Sequence, residues 1–384
     1  MSSTASGDPA AEIGNAAEIG NAAEIGNAAE IGNAAEIGNA AEIGNAAEIG
    51  AIIGVAGVGV TGSRVASLLA KCTAANGGRF GVAVYDADPA LARRVAGMIR
   101  GVAVDSFEDL AAADVVAFCQ PHGHAARAKE FIEAGVAVVS LSDEPDDVDR
   151  MLELDSLAVT QGTALVVGAA MSPGLSGLLA RHLAGELASM EELHVAVHGT
   201  GGPSCAKRHH RALAGWALGW HDGEWIERPC GSGRELCWFP EPMGAHDCYR
   251  AGLSAPTLLH RAFPSVGRIS ARITATRRDR LTGWLPMLTP PHRGGNIGAV
   301  RVEARGALAD GGRSTLIAGV AGRAAELASA VCAATVQAVV DHVVPPGVHS
   351  PADEALVPAD LLYRATRLGV VVQEFTGVAR ATSW

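Results

Sequence analysis

Lysine is almost missing from this chain of 384 residues: Lys71, Lys129 and Lys207 are the three lysines among 30 basic side chains. Charged residues make up 18% and aromatic residues 4%. No basic stripe of the kind that neutralises phosphates is present, which argues against nucleic acid as a partner. No stretch reaches about 18 uninterrupted apolar residues, so no membrane helix is read. A charged N-terminus followed by an apolar run is also lacking, and the expected location is the cytoplasm. The seven cysteines form no C-x-x-C pair and are odd in number. That excludes a closed disulfide framework and a zinc clip, and reduced core thiols with no metal site are expected.

What is present is apolar bulk. At 48% hydrophobic residues the chain can bury a large core, and its length suits two domains or one large one. The formal charge of -11 owes seven of its negative charges to Glu12, Glu18, Glu24, Glu30, Glu36, Glu42 and Glu48. These belong to the six-residue word AAEIGN, complete six times over residues 10–45 and once more without its Asn at 46–50. A left-handed β-helix would need about 18 residues per coil and three coils to bury a face, and an α-helix would scatter the isoleucines over three faces. Residues 1–50 are therefore expected to be a low-complexity, disordered extension dispensable for activity.

After the repeat, Ala51 to Val58 reads as a buried strand of the parallel type. Gly57-Val58-Gly59-Val60-Thr61-Gly62 follows, and Ser63 to Ala70 takes up helical spacing. Strand, glycine turn and helix in that order make a dinucleotide fingerprint: Gly57 for the tight turn, Gly59 for close approach of a pyrophosphate, Gly62 for helix packing. The next strand, Phe80 to Tyr85, ends at Asp86, placed to accept the ribose hydroxyls and to repel a 2′-phosphate. NAD is favoured as cofactor, with NADP open because Arg93 and Arg94 follow on the next helix. Alternation of strand and helix continues through Val136 to Ser142, which predicts a Rossmann-type, doubly wound α/β sheet. Cys119, Gln120 and Pro121 at the end of one strand, and Ser142 at the end of the next, should face the nicotinamide half. His122 and His124 are read as loop or capping groups, and the acidic run from Asp143 to Asp149 as a solvated helix start.

The string VVSLSDEPDDVDRMLELDSLAVTQGTALVVGAAMSPGLSGLLARHLA (138–184), following GVAGVGVTG, resembles the saccharopine dehydrogenase-like NAD(P)-dependent oxidoreductases. HGTGGPSCAKRHHRALAG (198–215) and GSGRELCWFP (231–240) are similar to a less characterised bacterial branch of that family. The resemblance implies a nucleotide-binding domain, an inserted α+β domain for substrate and dimerisation, and a C-terminal segment returning to the first domain. It also implies chemistry at a carbon–nitrogen bond of an amino-acid-like or polyamine-like substrate.

From Leu193 the pattern changes to half-exposed strands and turns, read as an antiparallel sheet with helices on one side. A helix is expected over Ala206 to Trp220 and another over Ala321 to His342. The domains are placed at 1–50, 51–190, 191–345 and 346–384. Oxidising an amine needs a base and groups that hold the substrate. His198, Lys207, His209, His210 and Tyr249 are the candidate catalysts, and Arg211, Arg234, Arg250, Ser172 and Gly174 the candidate substrate contacts. Tryptophans 216, 220, 225, 238 and 284 are expected in the core and at a dimer surface. The expected activity is hydride transfer to or from a carbon bearing nitrogen, in a homodimer. A redox-neutral synthase or lyase using the same cofactor and a sensor or scaffold without catalysis are the alternatives.

Overall fold

Short apolar runs bounded by glycine and acidic turns must be covered on both faces, and in this chain they assemble side by side as parallel strands. The computed structural model describes residues 49–75 and 77–375. In chain order the first half runs β1 (Ile49–Ala56), α1 (Gly62–Leu69), β2 (Arg79–Tyr85), α2 (Pro89–Ile99), β3 (Val102–Ala103), β4 (Val115–Phe118), α3 (His124–Glu133), β5 (Ala137–Ser140), α4 (Pro145–Leu152), α5 (Asp155–Thr160), β6 (Ala164–Val167) and α6 (Ser176–Ala184). The second half runs β7 (Ser189–His198), α7 (Pro203–Arg211), β8 (Trp216–His221), β9 (Glu224–Pro229), β10 (Glu235–Phe239), β11 (Gly244–Arg250), α8 (Ala255–Ala262), β12 (Arg268–Thr274), α9 (Arg277–Thr282), β13 (Ile297–Ala307), β14 (Arg313–Arg323), α10 (Ala324–Val340), β15 (Gly347–His349), α11 (Pro358–Arg367) and β16 (Gln373–Glu374).

The first sheet has seven strands in the order β15-β6-β5-β4-β1-β2-β3, every pair parallel. Strand order reverses between β1 and β4, and the crevice beyond their carboxyl ends is where such sheets bind ligands. This is the doubly wound α/β sheet expected from the alternation. β1 begins at Ile49, two residues before the strand expected from sequence, so the last Ile-Gly of the repeat already pairs with β2. The copies up to residue 48 lie outside the described residues.

The second sheet has nine strands, ordered β10-β11-β12-β7-β13-β14-β16 with the β8–β9 hairpin paired to β12. It is mixed rather than antiparallel, because β7 and β12 run parallel. Sixty-nine residues lie between them (199–267), ample for the crossover a parallel pair requires. The helix expected over residues 206–220 ends at Arg211. Gly215 adopts φ +79°, and Trp216–His221 pairs with β9 instead. The stretch WALGWH, with its two tryptophans, thus follows its strand preference once the glycine turn breaks the helix. The helix expected to begin at Ala321 begins at Ala324, since Ala321, Gly322 and Arg323 complete the pairing of β14 with β13. None of the five tryptophans named above lies in the core: Trp216, Trp225, Trp238 and Trp284 are exposed, and half-buried Trp220 stacks on His260 with ring centroids 3.9 Å apart.

Helix α10, buried on nearly all sides, joins the two sheets: it packs on α1, β4 and β5 and also on β13 and β14. An all-round apolar helix is stable only in such a position. Its Ser329 hydroxyl donates to the Ala325 carbonyl and reaches the Thr61 carbonyl of the glycine loop at 3.2 Å. After it the chain splits its last strands, β15 adding to β6 and β16 to β14.

The acidic run is not a wholly solvated helix start. Asp147 is buried and accepts hydrogen bonds from the His124 and Ala125 amides and from the Ser142 hydroxyl, which fixes the N-terminus of α3 from the neighbouring helix. His124 itself is a core residue, its ring held between Ser140 and the Gln120 carbonyl, and burial pushes it below the usual imidazole range. Asp147→Ala leaves three buried or half-buried donors unpaired, and should lower stability by about 1–3 kcal/mol in urea denaturation. An unchanged midpoint would mean that solvent replaces the carboxylate.

Candidate functional site

The turn after β1 is built by contacts that tolerate no side chain at two of its three glycines. Gly57 has φ +85°, and a Cβ there would lie 2.6 Å from the Gln120 amide nitrogen. At Gly62 a Cβ would lie 1.8 Å from the Gly57 carbonyl oxygen. At Gly59 a Cβ would meet nothing within 4 Å, so the loop backbone is bare towards the cleft. No side chain caps the first turn of α1 and no acid sits in it, which leaves its positive dipole end unopposed. Asp86 is fixed at the cleft edge by two backbone donors, Val58 at 2.8 Å and Asp88 at 3.0 Å. Arg93 and Arg94 are exposed on α2 and do not line the cleft.

The cleft has a volume of 660 Å³ and runs along the loop and over the ends of β4 and β5, where Cys119, Gln120, Pro121 and Ser142 line it. The Gln120 side-chain oxygen is buried with no partner, an acceptor waiting for a donor. Bare backbone at Gly59, a carboxylate at the second strand's end and this orphan acceptor together fit a dinucleotide. The far wall comes from the second sheet. Gly201, Gly202 and Pro203 at the start of α7 lie over the glycine loop, with a Cβ on Gly202 reaching Val60 at 3.0 Å.

Helix α7 then delivers two side chains to the cleft floor. Arg208 is buried, its Nε 2.7 Å from Glu144 and its Nη2 donating to the Asp143 and Gly252 carbonyls, and so ties α7 to the end of β5. His209 Nε2 stands 3.6 Å from Asp143 Oδ2, an ion-pair distance that would close to a hydrogen bond with a small shift. Burial works against the charged form of Asp143, but the facing His209 and the Arg208 guanidinium outweigh it and hold the carboxyl below its usual range.

His209 also lines a small junction and, beyond it, a second chamber of 750 Å³. In the chamber His198 bonds the Thr274 hydroxyl at 3.0 Å and lies against His246, ring centroids 4.6 Å apart. Burial, with a lesser effect of His246, lowers the His198 pKa to about 4. A depressed imidazole binds its proton more readily in the unfolded chain, so its stabilising effect is complete above pH 6.5 and is lost as the pH falls towards 4. His198→Gln should therefore flatten the acid limb of the stability profile by about 2 kcal/mol across that window, read from urea melts at several pH values. An unaltered profile would show that His198 is already solvated.

The sequence-derived candidates divide. Ser172 lines the cleft and the junction, His209 the cleft, junction and chamber, and His198 and His210 the chamber. His210 is nevertheless committed to structure, its Nε2 donating to the Thr282 carbonyl at 2.9 Å. Lys207 and Arg211 are exposed on other faces of α7, because a helix turns successive side chains by about 100° and only one in three or four can face the cleft. Arg234 is exposed and pairs with Asp247, and Arg250 wraps the Ser232–Gly233 turn. Tyr249 is buried beneath the Arg280 guanidinium, 4.1 Å from its ring centroid. Gly174 serves packing, since a Cβ would lie 2.6 Å from the Gly168 carbonyl oxygen. None of these last six lines the cleft or the chamber. Asp143, Arg208, His246 and Ser254 were missed by sequence reasoning; for Asp143 the signal was its position directly after Ser142 at the end of β5.

No protein-family model and no curated protein sequence matches the chain. Solved structures share its fold. Saccharopine dehydrogenase (L-Glu forming) from Saccharomyces cerevisiae superposes with a TM-score of 0.65 at 15% identity, covering 85% of this chain and 100% of that one. Homospermidine synthase from Legionella pneumophila, solved in complex with NAD, superposes with a TM-score of 0.61 at 12% identity, covering 84% of this chain and 90% of that one.

Proposed function

We propose that this chain, which has the fold of saccharopine dehydrogenase and homospermidine synthase, is an NAD-dependent oxidoreductase acting on a carbon–nitrogen bond of an amino-acid-like or polyamine-like substrate. The observation that carries the reading is a single continuous cleft with bare backbone at Gly59 and the Asp86 carboxylate at one end and the His209–Asp143 pair at the other. The bound nicotinamide would supply a site that accepts or donates hydride. The glycine loop and the first turn of α1 would neutralise the pyrophosphate, Asp86 would accept the ribose hydroxyls, and the Gln120 oxygen would accept an amide N–H. His209 would take the proton from the substrate nitrogen, and Asp143 would orient the ring and stabilise its protonated form. Residues of helices α7 and α10 wall the cleft.

Calorimetric titration of the full chain with NADH and with NADPH tests the cofactor assignment. Saturable binding that favours NADH is expected, and Asp86→Ser should narrow or reverse the preference by at least about tenfold, since a carboxylate repels a 2′-phosphate. A wild-type preference for NADPH would overturn the role given to Asp86, and no binding of either at millimolar nucleotide would overturn the function. A redox-neutral use of the cofactor is the second reading, favoured by the fold shared with an NAD-complexed synthase. It predicts turnover that requires NAD without accumulating NADH. Exposed Trp216, Trp225 and Trp238 are the surface we assign to a homodimer, testable by sedimentation of a triple alanine variant.

A further inference from the structure

Cys119, directly after β4, faces two ways. Half-buried, it lines the cleft, and its backbone lies behind the glycine turn: its amide donates to the Ala56 carbonyl at 2.8 Å, and a Cβ on Gly62 would stand 3.0 Å from its own Cβ. On the inner side it packs on the core against α10. There the fully buried Cys332 donates its S–H to the Cys119 sulfur, and burial together with that hydrogen bond holds the Cys332 thiol well above the usual range. Cys332 lies three residues after Ser329, on the same face of the helix, and it is the Ser329 hydroxyl that reaches the Thr61 carbonyl. The two thiols thus meet where β4 and α10 support the glycine loop from opposite sides.

The other thiols are placed differently. Cys237 and Cys248 also touch, across β10 and β11, but both are buried and neither lines the cleft, the junction or the chamber. Cys205 lines the cleft from α7, but loss of solvation, reinforced by Asp143, pushes its thiol up to about 12, so it stays protonated and unreactive. A thiol open to a small oxidant, backed by a second thiol that the oxidant cannot reach, is the arrangement of an attacked and a resolving cysteine.

We infer that Cys119 and Cys332 form a disulfide on exposure to a hydroperoxide, and that this bond and a dinucleotide in the cleft exclude one another. The inference rests on the reading of the cleft as a dinucleotide site and adds a covalent control to it. The Cys119 sulfur, having lost its proton, attacks one peroxide oxygen and the O–O bond breaks. Cys119 becomes a sulfenic acid, and the other oxygen leaves and is protonated to an alcohol or water. The Cys332 sulfur then displaces the sulfenic hydroxyl, which departs with the Cys332 proton as water. The peroxide is reduced and the thiol pair oxidised by the same two electrons. The new bond draws β4 and α10 together beneath the loop, which spoils its fit to a pyrophosphate. Conversely, a nicotinamide lying over the end of β4 covers Cys119 and shuts the peroxide out. Such a coupling is reciprocal.

The test exposes the reduced full chain to hydrogen peroxide, with and without saturating NADH, blocks the remaining thiols with iodoacetamide and maps linked peptides by mass spectrometry. NADH affinity is then measured by calorimetry. A Cys119–Cys332 cross-link is expected, forming at least about tenfold more slowly when NADH is present. The cross-linked chain should bind NADH at least about tenfold more weakly, and dithiothreitol should restore it. Cys332→Ala, reduced, should bind NADH as the wild type does, which shows that it is folded, and on oxidation should give a dimedone adduct at Cys119 in place of the cross-link. Oxidation that leaves Cys119 and Cys332 unlinked would overturn the inference. So would a link that forms equally fast with NADH and leaves its affinity unchanged. Both results are read on a chain that binds NADH and leave the proposed function standing. A reduced wild-type chain that binds no NADH would instead overturn the reading of the cleft, and the coupling with it.

Discussion

Gly59→Trp should abolish saturable NADH binding, a loss of at least about a thousandfold in affinity, while the midpoint of thermal unfolding moves by no more than a few degrees. The two effects separate because of where the side chain goes. A Cβ at Gly59 meets no protein atom within 4 Å, so the indole projects into the cleft and takes the space that a pyrophosphate must approach. Gly62→Val makes the opposite test on the same turn. Its Cβ would start 1.8 Å from the Gly57 carbonyl oxygen and 3.0 Å from the Cys119 Cβ, so the helix must move away from the loop. That variant should lose binding and stability together, by more than about 3 kcal/mol. Calorimetry paired with thermal melts on both proteins decides the matter. Nucleotide binding that survives Gly59→Trp would place the ligand elsewhere in the cleft and remove the basis for the proposed function.

Asp143→Asn should lower kcat by about 10²–10⁴-fold with a smaller change in KM, the range found when a positioned base loses its orientation. His209→Gln should fall in the same range. The double variant should be little worse than either single one, because the two groups act as a unit. This non-additivity is the decisive readout. Arg208 and Glu144 hold α7 against the end of β5 whether or not Asp143 is charged, so the fold should survive both changes. Because its carboxyl is held below the ordinary range, Asp143 remains ionised at neutral pH. Its contribution to stability is complete above the usual aspartate pKa and is lost only as the pH falls through the lowered one. Rates that add as independent losses would mean that His209 is not the base that Asp143 serves.

The proposed cofactor end of the site was legible because its signal is local. Strand, three glycines, helix and the acid at the end of the second strand lie between residues 51 and 86, and the physics that makes the turn acts between near neighbours. The proposed catalytic end was not, because it is assembled from segments far apart. Whether the run from Asp143 to Asp149 faces water or protein depends on Arg208, 65 residues onward, whose guanidinium reaches the Asp143 carbonyl. Ser254 reads as an ordinary helix cap, and nothing near it in sequence reveals that its buried hydroxyl has no partner. His209 stands among its neighbours in the sequence reading, and helical geometry alone does not say which of Lys207, His209, His210 and Arg211 turns inward. WALGWH failed for a related reason: six residues of mixed spacing suit a helix end or a strand, and pairing with β9 decides.

β1 starts on the Ile49-Gly50 pair that ends the last copy of the repeated word. The complete copies end in Gly-Asn and only the last, incomplete one in Ile-Gly, so gain or loss of whole copies upstream leaves the dipeptide at the edge of the central strand unchanged. The register of β1 against β2 is then independent of how many copies precede it. A change in the number of whole copies therefore leaves the residues from Ile49 onward, and their pairing, the same.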